Sequence, residues 1–292
     1  MSLEFRALSA ELVPVAMAAR NFLSGQDGAR KFRAESAIAE QFAYRPTLLA
    51  EASDKSLIAV EVSEGSYTAP LVEFVLDCQR ESLPIRVFVA VPVGGPPGAI
   101  LQLHRRARQL GIGVLEVDGR RVTRPVPALS LSLWGLRPMT QQRFPKRLRA
   151  RLSQAEDTFR NGNPAKGCGG VYDALESQSR AVAWEIDRRR LWKASTSRKG
   201  HGRNWFEKHA WANVLEYVDT YVDAQTMDSN WLPFDRALWS RVRGLTPHRN
   251  ESGHEPKSLR KLQARDRELR TRFEHATDCL AELVAAFPRI RG

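Results

Sequence analysis

The residues best able to do chemistry lie in one short segment, Gly244-Leu-Thr-Pro-His-Arg-Asn-Glu-Ser-Gly-His-Glu-Pro256. It holds Arg249, then Asn250, then His254 after four intervening residues. Such a pair suits metal-free cleavage of a phosphodiester. Histidine titrates near neutrality, so His254 can take a proton from a ribose 2′-hydroxyl or return one to the leaving oxygen. Arginine stays cationic and can clamp a phosphate through two parallel hydrogen bonds as negative charge builds. His248, beside Arg249, can assist or simply occupy the surface. The competing reading is structural: the pair caps helices and hydrogen-bonds within a bundle. Spacing alone does not separate the two readings. Arg203 with His209, Arg241 or Arg243 with His248, and Arg270 with His275 are spaced comparably. Arg249 differs in lying at the end of one amphipathic helix, with Pro256 opening the next.

The charge agrees with a polyanionic partner. Residues 1–140 carry 16 Lys+Arg against 14 Asp+Glu, and residues 141–292 carry 29 against 19, so nearly all of the +12 sits in the second half. A basic excess confined to one half points to phosphate attraction without sequence readout. Arg188, Arg189 and Arg190, with Arg198 and Lys199, are candidates to line an RNA groove. The bland reading is that most such runs are solvated surface. Trp184, Trp192, Trp205, Trp211, Trp231 and Trp239 read as core packing and not as stacking platforms for bases.

A second candidate group lies near the N-terminus. Tyr44-Arg-Pro-Thr-Leu-Leu49 is followed by Leu57-Ile-Ala-Val-Glu-Val-Ser63, which places Thr47, Glu61 and Ser63 on two neighbouring strands. Glu61 is the one carboxylate of these three. Glu51, Asp54 and Glu64 are further possible ligands nearby, and Lys55 is a possible amine.

The pattern of elements changes near residue 140. Before it, Thr47–Ala50, Leu57–Val62, Ile85–Val91 and Ile112–Val117 read as strands. Ala69–Gln79 and Gly98–Gln109 read as helices, and Met1–Leu23 as an amphipathic helix instead of a signal peptide. Arg120–Pro145 suits a final strand or a linker. Alternation of this kind predicts an α/β sheet covered by helices. Beyond it the chain is helical, with helices expected over Lys146–Arg160 and Val171–Arg190. Others carry Trp211, Leu215, Val218 and Val222, then Phe234, Leu238, Val242 and Leu245. The last runs from Leu262 to Phe287. The expected domains are therefore 1–140, α/β, and 141–292, an all-α bundle. Three scattered cysteines without metal-ligand spacing suggest buried thiols in a reducing, cytoplasmic compartment. No run is apolar for long enough to cross a bilayer, so no membrane partner is expected.

Two family resemblances follow from these residues. The Arg249-Asn250…His254 element, together with Gln154-Ala-Glu-Asp-Thr-Phe-Arg-Asn…Gly162 and Tyr172-Asp-Ala-Leu-Glu176, resembles the HEPN family over about residues 150–288. That resemblance implies a helical domain, a homodimer with paired Arg–His sites, no cofactor or metal, and an RNA endonuclease of a bacterial toxin or antiviral system. Other members of the family only bind or assemble. One departure is visible: Gly244 and Pro247 interrupt the helix where the family's helix runs on. The N-terminal strands resemble a restriction-endonuclease-type core over about residues 30–118. That family carries Pro-Asp on one strand and Glu-x-Lys on the next, so that two carboxylates hold Mg²⁺ and lysine steadies the attacking water. Here Thr47 stands at the aspartate position and Ser63 at the lysine position, leaving Glu61. The resemblance then implies a vestigial nuclease fold that senses nucleic acid, a nucleotide or a protein trigger. A Mg²⁺-dependent DNA nuclease is the alternative.

Overall fold

The computed structural model describes residues 3–38, 42–139, 144–192, 200–222, 235–250 and 256–287. Its contacts group into two compact units. The first holds residues up to Leu136, the short turn Arg160–Gly162 and the start of the last helix as far as Glu268. The second, beginning at Arg137, holds the remainder.

The first unit is built on a six-stranded sheet in the order β1 (Arg30–Ala34), β2 (Leu48–Glu51), β3 (Leu57–Val62), β4 (Ile85–Pro92), β5 (Gly113–Asp118) and β6 (Arg121–Val126). The outer pairs β1–β2, β2–β3 and β5–β6 are antiparallel, and β3–β4 and β4–β5 are parallel. The parallel joints need crossovers, supplied by α2 (Ala69–Arg80) and α3 (Pro97–Leu110). Burial on both faces explains the near-continuous apolar runs of β3 and β4. One face packs Ala59, Val87, Val89 and Val114 against Phe74 and Val75 of α2 and Leu103 of α3. The other packs Ile58, Val60, Phe88 and Leu115 against Val15, Ala16, Ala19 and Leu23 of α1 (Val13–Gln26). Gly113 is required here, because a Cβ would lie 2.4 Å from the Phe88 ring. The buried carboxylate of Asp27, at the end of α1, ties the helix to the sheet by accepting from Arg86 of β4, at 2.8 Å, and from Arg124 of β6. A short helix α4 (Leu131–Trp134) completes the layer. α1 begins later than the sequence pattern suggests, and β1 is a strand that the pattern leaves unassigned.

The second unit is helical: α5 (Lys146–Arg160), α6 (Pro164–Arg188), α7 (Arg203–Lys208), α8 (Trp211–Tyr221), α9 (Arg236–Gly244), a 3₁₀ turn (Thr246–Asn250) and the greater part of α10 (Leu259–Ala286). α6 starts seven residues before the expected Val171. The Asn161–Pro164 segment ends α5, but Pro164 also opens α6, and the Asn163 side chain caps it by accepting from the Lys166 N–H at 3.3 Å. The core gathers Phe159, Leu175, Val182, Leu215, Val218, Trp239, Phe273 and Leu280. The two buried indoles among the described residues are satisfied: Trp211 Nε1 donates to Ser179 Oγ at 2.8 Å and Trp239 Nε1 to the Leu215 carbonyl at 2.9 Å. Trp184, Trp192 and Trp205 are half-buried in aromatic contacts, and Trp231 lies outside the described residues. All three cysteines are free and buried, and burial raises the Cys168 thiol to about 12 and the Cys279 thiol to about 11. Among the described residues no helix is long and apolar enough to cross a membrane.

Candidate functional site

Arg249 sits in the 3₁₀ turn that follows α9. The helix ends at Gly244, as the glycine and Pro247 require, and the tighter turn carries the arginine back toward α6. There its guanidinium forms an ion pair with Glu176 and a 3.3 Å hydrogen bond to Asp173 Oδ1. Both acids belong to the Tyr172-Asp-Ala-Leu-Glu176 stretch singled out in the sequence, so two segments more than seventy residues apart meet at one point. The Glu176 side chain is only 10% exposed, whereas Arg249 is 37% exposed. The carboxylate is therefore an internal anchor, and the guanidinium keeps one side open to water.

Glu176 is itself shared. Arg180, one turn further along α6, donates from Nε to Glu176 Oε1 at 2.7 Å and from its terminal nitrogens to the carbonyls of Phe206 and His209. One buried carboxylate thus fixes two arginines and staples the end of α7 to α6. A bare buried carboxylate would be costly, and two guanidinium partners offset that cost. Three of the other arginines with nearby histidines are engaged on the surface: Arg203 with Glu207, Arg241 with Glu282, and Arg243 with Glu216 and Asp219.

His254, Arg198 and Lys199 lie outside the described residues, as does the side chain of Asn250. His248 is half-buried in the same turn as Arg249. Of the arginine run, Arg188 and Arg189 both bond Glu185, whose carboxyl is held down at about 2, first by the Arg188 hydrogen bond against the opposing effect of burial. Arg190 is exposed, with a left-handed backbone. Two of the five cations expected to line a groove are therefore spent on a local carboxylate.

In the first unit, Thr47 and Glu61 do come together. Tyr44 donates to Glu61 Oε2 at 2.5 Å and Thr47 Oγ1 donates to the same oxygen at 3.4 Å, while the Val62 N–H donates to Thr47 Oγ1 at 3.2 Å. Burial raises the pKa of Glu61 above the usual carboxylate range despite these bonds, and raises the Tyr44 phenol also. Ser63 is elsewhere: its hydroxyl donates to the Ser66 carbonyl at 2.7 Å and organises the turn after β3. Lys55 is engaged with Glu51, which Lys31 also pairs, and Asp54 caps Ser56. This donor set does not fit Mg²⁺, which needs carboxylates free to accept a hard cation. One carboxylate, already closed off by a phenol and a hydroxyl, does not supply them. Among the described residues no three His, Cys, Asp or Glu side chains gather into a metal-binding group.

Two polar arrangements escape the sequence reading. His104 of α3 meets Glu116 of β5 at 2.9 Å. His201, Trp205 and His209 stack ring on ring, each pair with centroids 4.3 Å apart. The four-residue spacing of that stack is written in the sequence, in rings that lie before, within and just after α7.

Compared with family models, curated proteins and solved structures, the chain matches none.

Proposed function

We propose that the helical unit is a HEPN-type module acting on RNA, in which Arg249 holds the scissile phosphate and His254 moves the proton, without a metal. The supporting observation is the seating of Arg249. Its guanidinium rests on a buried carboxylate and remains partly open, as a phosphate clamp needs: rigid on one side and available on the other. The proposal includes a homodimer with the two Arg–His pairs meeting, and a role in bacterial defence or as a toxin; both are carried by the family resemblance. The sheet unit is proposed as a vestigial restriction-endonuclease-like fold that senses a nucleic acid, nucleotide or protein trigger. What supports this is the order helix, three antiparallel strands, crossover helix and parallel strand, with Glu61 beside Thr47.

The second reading, a module that binds RNA or a partner without cutting, draws on the same site. Two acids on one arginine offset its charge, and a structural clip would look alike. Cleavage of labelled RNA in EDTA separates the readings. The catalytic reading expects products with cyclic phosphate or 3′-phosphate ends. It expects a loss of about 10²-fold or more in Arg249→Ala and in His254→Ala, with unfolding midpoints unchanged. Full activity in both variants rejects the assignment. No cleavage by the wild type, together with RNA affinity that survives His254→Ala, establishes the binding module. Cleavage of DNA that needs Mg²⁺ and disappears in Glu61→Ala would move the chemistry to the first unit.

A further inference from the structure

The first six residues of α5, Lys146-Arg-Leu-Arg-Ala-Arg151, hold four cations and no acid. All four are exposed, and among the described residues none forms an ion pair. Elsewhere in this unit Arg180, Arg188, Arg189, Arg203, Arg236, Arg241, Arg243 and Arg249 each pair with a carboxylate, and the cations without an ion pair among the described residues, such as Arg190 and Arg270, are scattered and not clustered on one helix start. The placement also works against the helix. Cations in the first turns face the positive end of the macrodipole, where acids are preferred, and they repel one another. The chain keeps an arrangement that weakens its own helix, and an anion would relieve it.

The same cations border a groove of about 180 Å³ between α5 and α6. Arg147 and Arg151, one helical turn apart, form one wall; Ser177 and Gln178 of α6 bring a hydroxyl and an amide to the other; Leu148 and Ala174 supply apolar surface. A hydroxyl, an amide and two guanidinium groups around an apolar floor match a phosphodiester strand, with phosphates on the arginines and sugars below. Ser177 lies one turn beyond Asp173, so the groove and the Arg249 seat share α6.

We propose that the α5–α6 groove is the track for single-stranded RNA, with Arg147 and Arg151 as its phosphate contacts and Ser177 and Gln178 as its hydrogen-bonding wall, and that it replaces the Arg188–Arg190 run in that role. The choice of RNA rests on the function proposed above; the existence of an anion track does not.

The test is fluorescence anisotropy with the full chain and a short labelled single-stranded RNA of mixed sequence, across a salt series. His254→Ala serves as background so that the probe stays intact. Arg147→Glu with Arg151→Glu is expected to weaken binding by roughly tenfold or more and to flatten the log affinity against log salt slope by about 1.4, the value for two lost phosphate contacts on a single strand. Arg105→Glu with Arg108→Glu, exposed on α3, makes the same charge change and is expected to alter affinity much less. Equal losses in both double variants, or no loss in the first while thermal unfolding shows both folded, overturn the proposal. So does groove-dependent binding that is as strong for duplex DNA or for an acidic peptide as for RNA. Groove-dependent RNA binding without any cleavage by the wild type leaves this inference standing and rejects the catalytic function. Cleavage by a wild type whose affinity ignores Arg147 and Arg151 does the reverse.

Discussion

Glu61 is a carboxylate kept where water is scarce, and its position has a thermodynamic consequence. Burial raises its folded-state pKa above that of the unfolded chain. The ionised form therefore costs stability at neutral pH, and the cost is relieved as pH falls through the folded value. Glu61→Gln removes the charge and retains an oxygen that can accept from Tyr44. The variant is expected to be more stable than the wild type at neutral pH by about 1 kcal/mol. The gain should vanish near pH ~3, where this carboxyl is protonated in the folded and the unfolded chain alike. Urea unfolding at the two pH values measures it; an equal gain at both, or a loss at neutral pH, contradicts the account. Arg249 presents the opposite case. Its partner Glu176 is buried but doubly paired: without Arg249 the carboxylate keeps Arg180, whereas changing Glu176 removes the buried partner of both arginines. Any activity loss on changing Glu176 must therefore be read beside a stability measurement.

At the scale of elements, α5 and α6 decide the second unit. α6 tolerates Gly167, Gly169 and Gly170 in its early turns, although glycine weakens a helix interior by about 1 kcal/mol each. Gly167 explains part of this cost. A Cβ there would sit 2.6 Å from Phe159 Cβ and 2.9 Å from the Ala155 carbonyl, so α5 approaches α6 closely because the side chain is absent. The approach sets Phe159 against Phe273, ring centroids 5.0 Å apart. Gly167→Val is expected to destabilise the chain by about 1–3 kcal/mol through overpacking. Gly169→Ala, which meets nothing within 4 Å, should be neutral or slightly stabilising. Thermal unfolding of the two variants distinguishes a packing requirement from a backbone one; similar effects would reject it.

At the scale of the whole molecule, charge is divided unevenly, and so are the roles proposed. In the near-neutral α/β half, Arg86 and Arg124 are held in structural pairs on Asp27. In the basic half the start of α5 has no ion pair among the described residues. The paired-site mechanism also needs a second copy. With a chain of 32.9 kDa, sedimentation is expected to give about twice that mass at concentrations where RNA is cut. Cleavage by a chain that stays monomeric would reject the paired arrangement while sparing Arg249 and His254 themselves.

The sequence by itself determined the alternation of strands and helices before residue 140, the helices after it, and the neighbouring of Thr47 and Glu61. These follow from local periodicity, and from antiparallel pairing across a short connection that places β2 beside β3. It also marked Gly244 and Pro247 as interrupting the helix before Arg249. It misjudged the start of α6, because Asn161–Pro164 carries both a stop for one helix and a cap for the next. Only the tertiary structure decided which cations are spent and which are open. Arg188 and Arg189 meet Glu185 at local spacings of three and four residues, but Arg249 finds Glu176 from more than seventy residues away, and Arg147 and Arg151 find no carboxylate among the described residues. Sequence patterns report what a residue can do; the packing of helices decides which opposite charge it meets first.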